Sequence, residues 1–399
     1  MLTASLLLAL ACGAGTGTDE RGQTDSRVIA LVGVHVIPMD REVVLRDRTV
    51  VIRDGRIAKI GPMGRTEVPP EALRPGVRGR YVIPGLIDMH VHLTRGDLST
   101  YLMAGVTTVR NMWGWSGIEE IRRDVASGAA RGPRVFSAGP AVDGDPPVRS
   151  GAEVVTDPAA IPLLVQRQKA AGWDFVKVYQ QVDPQVFSAL VREAPVFGLR
   201  LIGHVPTKVS FHDALTGLAS IEHLEGYDKA LTGSRRPGFQ SWLTIGPGVT
   251  PEMSALAEVT AARGVWNCPT LVVAARALGS GLAAGERDRA VQARRAMVRA
   301  LRDAGALLLA GTDGGVPLVP AGQLAEELIE LTRAGLTPYQ ALRAATIDAA
   351  AFLAASDSLG RVAEGMTDDL VVLADDPLRD VAAVRAPVAV VARGEWRRR

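Results

Sequence analysis

His90, His92, Lys177, His204, His223 and Asp313 are residue types that bind metal ions, and each lies at or near the end of an apolar, strand-like run. The sharpest run is Val82-Ile-Pro-Gly-Leu-Ile-Asp-Met-His90-Val-His92. Side chains on a strand alternate faces, so histidines two apart point the same way. Paired imidazoles on one strand end can chelate one cation. A lone strand-end histidine has a plainer reading as a hydrogen-bonded packing residue. His35 and His212 take that reading. His204 and His223 stand apart because they recur at strand ends. Asp313 precedes Gly314-Gly315 and has helix capping as its alternative role.

Lys177 is the most revealing of the set. In Asp174-Phe-Val-Lys-Val-Tyr179, Phe175, Lys177 and Tyr179 share one face and Val176 and Val178 the other. If the valines face a helical layer, the lysine faces an interior. Burial of an unpaired ammonium is costly and lowers its pKa. A neutral amine reacts with carbon dioxide to give a carbamate, a carboxylate-like group able to bridge two cations. The structural alternative is a lysine paired with an acid such as Asp313.

Strand signals recur between Pro84 and Gly365, with cores at 86–92, 105–110, 134–138, 174–179, 200–205, 219–223, 265–271 and 306–312. Helical stretches follow most of them, including Pro162–Ala171, Pro184–Ala194, Pro251–Arg263, Glu286–Ala304 and Gln323–Ala334. Several begin at or just after proline, which suits a first helical turn. This alternation predicts an α/β fold, a TIM-type (β/α)8 barrel over 84–365, with its active site at the C-terminal strand ends. The candidate ligands all fall at those ends. No Gly-x-Gly-x-x-Gly follows a strand, so a dinucleotide fold has no support. Residues 27–83 and 366–399 read as short strands and hairpins, with Asp54-Gly55 and Arg393-Gly394 as tight turns. Neither piece buries its apolar face alone, so both termini are expected to form one small β-sandwich.

The 399 residues are ample for a large core plus a small domain. A formal net charge of +2 points to no polyanion, hence no nucleic-acid partner. Residues 2–12 form an apolar run too short for a mature membrane span but fitting a signal-peptide core. Cys12 after small residues resembles a bacterial lipoprotein box, followed by a polar linker to Ser26. Residues 1–26 are therefore expected to direct export to the periplasm or envelope, with the leader cleaved or Cys12 lipidated as a membrane anchor. Only Cys268 would then remain, so no disulfide constrains the fold. Assembly into an oligomer stays open.

With these residues placed, the chain resembles the metal-dependent amidohydrolase superfamily, in particular its imidazolonepropionase-like and Xaa-Pro dipeptidase-like branch. The likeness rests on Pro84-Gly-Leu-Ile-Asp-Met-His-Val-His92, Asp174-Phe-Val-Lys-Val-Tyr179, Gly203-His204 and Ser220-Ile-Glu-His-Leu224. It continues through Gly311-Thr-Asp313, Ala334-Gly-Leu-Thr-Pro-Tyr-Gln-Ala-Leu342, Ala344-Ala-Thr346 and Gly365-Met-Thr-Asp-Asp-Leu-Val-Val-Leu373. The resemblance implies a distorted barrel with a terminal β-sandwich and hydrolysis by metal-activated water. It implies that His90, His92 and Asp313 hold one divalent ion and His204 and His223 a second, zinc being expected. Lys177, as N6-carboxylysine, would bridge them, and Asp313 would carry the proton. The chain departs from relatives at Asp368, where they often have Ala, and at Asn111, where they often have Asp.

The expected reaction is hydrolysis of an amide bond in a dipeptide or cyclic amide. The same centre could serve an ester, lactone or organophosphate, and a non-catalytic envelope binding protein is the alternative from another class. Specificity should come from the loops at 112–120, 141–155, 180–184, 225–250 and 316–322. Tyr179, facing inward, and Tyr227, in a long loop with Lys229, Arg235, Arg236 and Trp242, are candidate substrate contacts.

Overall fold

The valine- and isoleucine-rich runs of the central region are buried on both faces, as parallel strands covered by helices must be. These strands appear in a computed structural model that describes residues 28–233, 239–277 and 283–398. The leader, Cys12, Arg235 and Arg236 lie outside the described residues. No helix among the described residues is long and apolar enough to cross a membrane.

Strands β1 (Ile29–Val36), β2 (Leu45–Arg53), β3 (Arg56–Pro62) and β4 (Tyr81–Pro84) precede the barrel. The barrel strands are β5 (Leu86–Val91), β6 (Val106–Asn111), β7 (Arg134–Ser137), β10 (Phe175–Val178), β11 (Arg200–Gly203), β12 (Leu218–Glu222) and β13 (Trp266–Cys268). Two short strands, β8 (Val142–Asp143) and β9 (Glu153–Val154), lie in the connection after β7. Strands β14 (Leu370–Leu373), β15 (Ala389–Ala392) and β16 (Glu395–Arg398) close the chain.

The terminal strands form one sheet in the order β16-β15-β14-β4-β1-β2-β3, so both ends of the chain do join. Its core includes Leu31, Ile52, Ile57, Leu370 and Val391. Two turns with positive φ, Asp54-Gly55 (51° and 70°) and Arg393-Gly394 (55° and 74°), make the tight hairpins. The buried Asp368 carboxylate links them. It accepts the Arg393 and Gly394 amides at 2.9 and 2.5 Å, while the Asp368 amide donates to Gly55 O at 3.0 Å. The sheet thus curls into the sandwich that flanks the barrel.

Barrel pairing runs β5-β6-β7 in one run and β13-β12-β11-β10 in another, all parallel. A bridge from Ala138 to Phe175 joins the two runs. The eighth segment differs from the strand expected at 306–312. It makes a single bridge, Leu308 to Asn267, yet still closes the ring. Leu309 N donates to Asn267 O at 2.8 Å on one side, and Met89 N to Ala310 O at 2.9 Å on the other. This irregularity is where the barrel is distorted. Observed helices at Ile161–Ala170, Pro184–Glu193, Pro251–Ala262, Ala284–Asp303 and Leu324–Arg333 match the sequence reading to within two residues.

Two separate cores confirm the face assignment on β10. Val176 and Val178 pack with Leu164, Val186 and Leu190 of the surrounding helices. Phe175 instead joins Ile87, Met89, Ile202 and Leu309 inside the barrel. Lys177, two residues on, points inward.

Candidate metal centre

Three local departures from regular strand geometry bring the polar residues together. On β5, Ile87 and Met89 are interior, so strict alternation would turn His90 outward. The pairing with β6 shifts register between Asp88 and Val91, and this bulge carries His90 and His92 inward together. At the end of β12, Glu222 and His223 are consecutive yet both line the interior, because His223 has φ of 60° and Leu224 of 55°. Asp313 has φ of 58°, and its amide donates to His90 O at 2.8 Å. Left-handed backbone at non-glycine residues is strained, and it clusters here at the strand ends.

The imidazoles form a chain. Ring centroids are 5.7 Å apart for His92 and His90, 4.5 Å for His90 and His223, and 5.1 Å for His223 and His204. Asp313 Oδ1 lies 3.3 Å from His90 Nε2 and 3.0 Å from His92 Nε2. Ligand atoms of His90, His223 and Asp313 all lie within 4.8 Å of one another. Asp313 therefore caps no helix; the next one begins at Leu324. Lys177 is buried and forms no hydrogen bond or ion pair among the described residues, which removes the alternative of a salt bridge to Asp313.

A surrounding set of residues was not singled out from sequence. Glu222 Oε2 binds His90 Nδ1 at 2.8 Å, and Glu225 Oε2 binds His204 Nδ1 at 2.5 Å. Thr270 Oγ1 lies 2.7 Å from His223 Nδ1. Each Nδ1 is thus occupied, which turns Nε2 toward the centre. Behind Glu222, the buried Arg110 donates to both of its carboxylate oxygens at 2.9 and 3.0 Å and to Met89 O at 2.6 Å. Alternation along β12 places Ser220 and Glu222 on one face, which was the available signal for Glu222. Nothing local marks Glu225 or Thr270. Asn111 spends its amide on Leu93 N, Trp113 O and Ser137 Oγ, so it plays a structural part.

Electrostatics follow from burial and these pairs. Burial draws Lys177 down to about 8, against the opposing fields of Asp313 and Glu222. Burial likewise depresses His92, and His223 strongly, so these rings are neutral at pH 7. Burial alone would raise Asp313, but the facing imidazoles, His90 foremost and then His92 and His223, hold it well below the usual carboxylate range. For Glu222, burial is likewise outweighed, here by Arg110 and His90.

These donors fit a divalent cation. In the tautomer that points the Nδ1 proton at Glu222, His90 keeps a lone pair on Nε2. That buried atom and the facing Asp313 Oδ1 have no hydrogen-bond partner among the described residues. Two acceptors 3.3 Å apart repel unless a cation lies against both.

The two candidate substrate contacts part company. Tyr179 lines the site, its ring 4.2 Å from that of His204. Tyr227 does not. It is fully buried, and its hydroxyl lies 2.9 Å from Thr260 Oγ1 and 2.8 Å from Asn267 Oδ1. The stretch read as loop starts a helix at Tyr227, turning that side chain into the core. His35 and His212 are away from the centre, His35 accepting the Asp47 amide at 3.3 Å and His212 facing Arg263 at 3.4 Å.

Residues 81–397 match the Amidohydrolase family, and the chain belongs to it. Ochratoxinase of Aspergillus niger is 25% identical over 447 residues, covering 92% of this chain and 85% of its own. A solved structure from Bifidobacterium longum, assigned as a prolidase, is 25% identical with a TM-score of 0.76, covering 93% of this chain and 94% of that one. Bottromycin amidohydrolase is 29% identical with a TM-score of 0.75, covering 94% and 87%. The protein is an enzyme that hydrolyses carbon–nitrogen bonds of the amide type, on a TIM barrel with a terminal β-sandwich. Members of this family generally use divalent metals.

Proposed function

We propose that this is a binuclear metallohydrolase that cleaves the amide bond of a dipeptide or cyclic amide. The observation that supports it best is the facing pair of buried acceptors, His90 Nε2 and Asp313 Oδ1, within a chain of four imidazoles. His90, His92 and Asp313 would hold one cation and His204 and His223 the other. Nitrogen and oxygen donors of this kind suit zinc. When bound, such cations supply Lewis acidity to a carbonyl and lower the pKa of water to about 7.

The remaining work belongs to side chains. Asp313, kept ionised by the two histidines, accepts the proton of the attacking water and returns it to the leaving nitrogen. Glu222 and Glu225 hold His90 and His204 in the tautomer whose Nε2 lone pair faces the centre. Lys177 has its free-base fraction raised by burial and no direct ion pair among the described residues. Its Nζ adds to carbon dioxide, forming a nitrogen–carbon bond and releasing one proton, and the resulting N6-carboxylysine would bridge the two ions.

The test is metal analysis with turnover of a Xaa-Pro and general dipeptide library by the full chain, produced with zinc and bicarbonate. Two equivalents of metal and peptide hydrolysis are expected. Asp313→Asn should keep the fold and lose about 10²–10⁴-fold in kcat, the range for a lost proton-transfer group. One equivalent of metal, or near wild-type turnover in that variant, refutes the scheme.

A further inference from the structure

Fixing the scissile bond leaves open what grips the rest of the substrate. The one cation of the 225–250 loop among the described residues is already committed. Lys229 Nζ donates to Thr207 O at 2.6 Å and Val209 O at 3.1 Å. A different arginine stands at the site. Arg149 lies between β8 and β9, and its Nε donates to the Tyr179 hydroxyl at 3.3 Å. Tyr179 in turn packs on His204, and its ring centroid is 5.7 Å from Lys177 Nζ. Among the described residues Arg149 has no acidic partner, so both terminal nitrogens of the fork remain for a ligand.

The segment carrying Arg149 is held in place by buried groups. Asp143, buried, accepts from Gly144 N at 3.0 Å, Val148 N at 2.8 Å and Gln181 N at 2.7 Å. Gly144 sits against Gln181 O so closely that a Cβ would stand 2.0 Å from it. This ties the loop to the end of β10, one residue from Gln180, which itself binds Glu225 at 2.8 Å. Tyr179 is also met edge-on by the Trp113 ring at 5.7 Å and 90°, and a Cβ at Gly151 would lie 3.9 Å from the Trp113 indole nitrogen. Arg149 is exposed, so its guanidinium is open to solvent, and a guanidinium hydrogen-bonded to a tyrosine of the site beside aromatic rings can receive a carboxylate carrying an apolar group.

We propose that Arg149 determines specificity by binding a free carboxylate of the substrate, so that the enzyme favours N-acyl amino acids and dipeptides with an unblocked C-terminus and an apolar side chain. This rests on the amide-hydrolase reading above. The kinetic test compares zinc-loaded full-length wild type, Arg149→Gln and Arg149→Lys on a dipeptide and its C-terminal amide. Wild type should prefer the free acid by about tenfold or more in kcat/KM, as a charge-assisted hydrogen bond allows. Arg149→Gln should lose that preference and Arg149→Lys keep part of it. A preference that survives Arg149→Gln, or its absence in wild type, overturns the proposal. A second arm needs no turnover. Calorimetric binding of 3-phenylpropionate is compared with that of 3-phenyl-1-propanol, and the same loss of acid preference is expected in Arg149→Gln. If wild type cleaves no peptide, the functional reading fails while this arm still decides Arg149.

Discussion

His90 illustrates how one side chain's role is set by a second. Its ring is useful to a cation only while Nδ1 keeps the proton, and Glu222 enforces that with a 2.8 Å hydrogen bond. Glu222 is itself held by Arg110 and Ser220, so the chain of constraint reaches the barrel floor. Removing the carboxylate's charge while keeping its shape should loosen the centre without emptying the core. Glu222→Gln is therefore expected to weaken metal affinity by about 10–100-fold, the usual effect of losing such a partner. Competition with a chromogenic chelator measures it, and unchanged affinity counts against the orienting role. The ligand types were legible in the sequence because the shared face of His-x-His and the inward phase of Lys177 follow from alternation, although the inward turn of the histidines needed the bulge. Glu225 and Thr270 were not, since their contacts with His204 and His223 depend on where other strands end. Tyr227 was misplaced because a six-residue helix, Tyr227–Thr232, turns it into the core.

Elements meet at the centre through glycine. A Cβ at Gly311 would stand 2.5 Å from Cys268 Sγ and 2.7 Å from His90 N, between β13 and β5. Gly311→Ala must push the irregular eighth segment away from β5 and carry Asp313 with it. A loss of about 1–3 kcal/mol, typical of overpacking, is expected, together with reduced metal content. Chemical denaturation and metal analysis check both, and a stable, fully loaded variant would show that the strands can separate freely. A second element-level expectation concerns pH. Glu327, on the helix Leu324–Arg333, accepts the Leu271 and Val272 amides at 2.9 and 2.8 Å, and burial pushes its pKa up to about 8 from 4.5. A carboxyl with a raised folded pKa binds its proton more tightly when folded. Its contribution is complete below pH 4.5 and is lost as pH rises through about 8. Wild-type stability should thus fall relative to Glu327→Gln between these limits, read from melting curves across pH; parallel curves would contradict it.

At the scale of the whole molecule, the barrel gathers its candidate ligands from β5, β10, β11, β12 and the segment after residue 310, while the sandwich joins both ends of the chain. A cation bound to the folded state alone couples those strand ends. Chelation should therefore lower stability, by about 4 kcal/mol relative to metal at about 1,000 times its Kd. Calorimetry of loaded and stripped protein checks this, and identical melting temperatures would mean the centre binds no stabilising ion. Sequence by itself determined the repeating strand–helix order, the two glycine-containing hairpin turns and the inward face of Lys177. Each is a local matter of side-chain period or positive φ. Tertiary structure alone decided the bulge that turns His90 inward, the left-handed turn that lets Glu222 and His223 both face the centre, and the pairing of Arg149 with Tyr179. Those depend on register between strands far apart in the chain, and no local pattern encodes such a register.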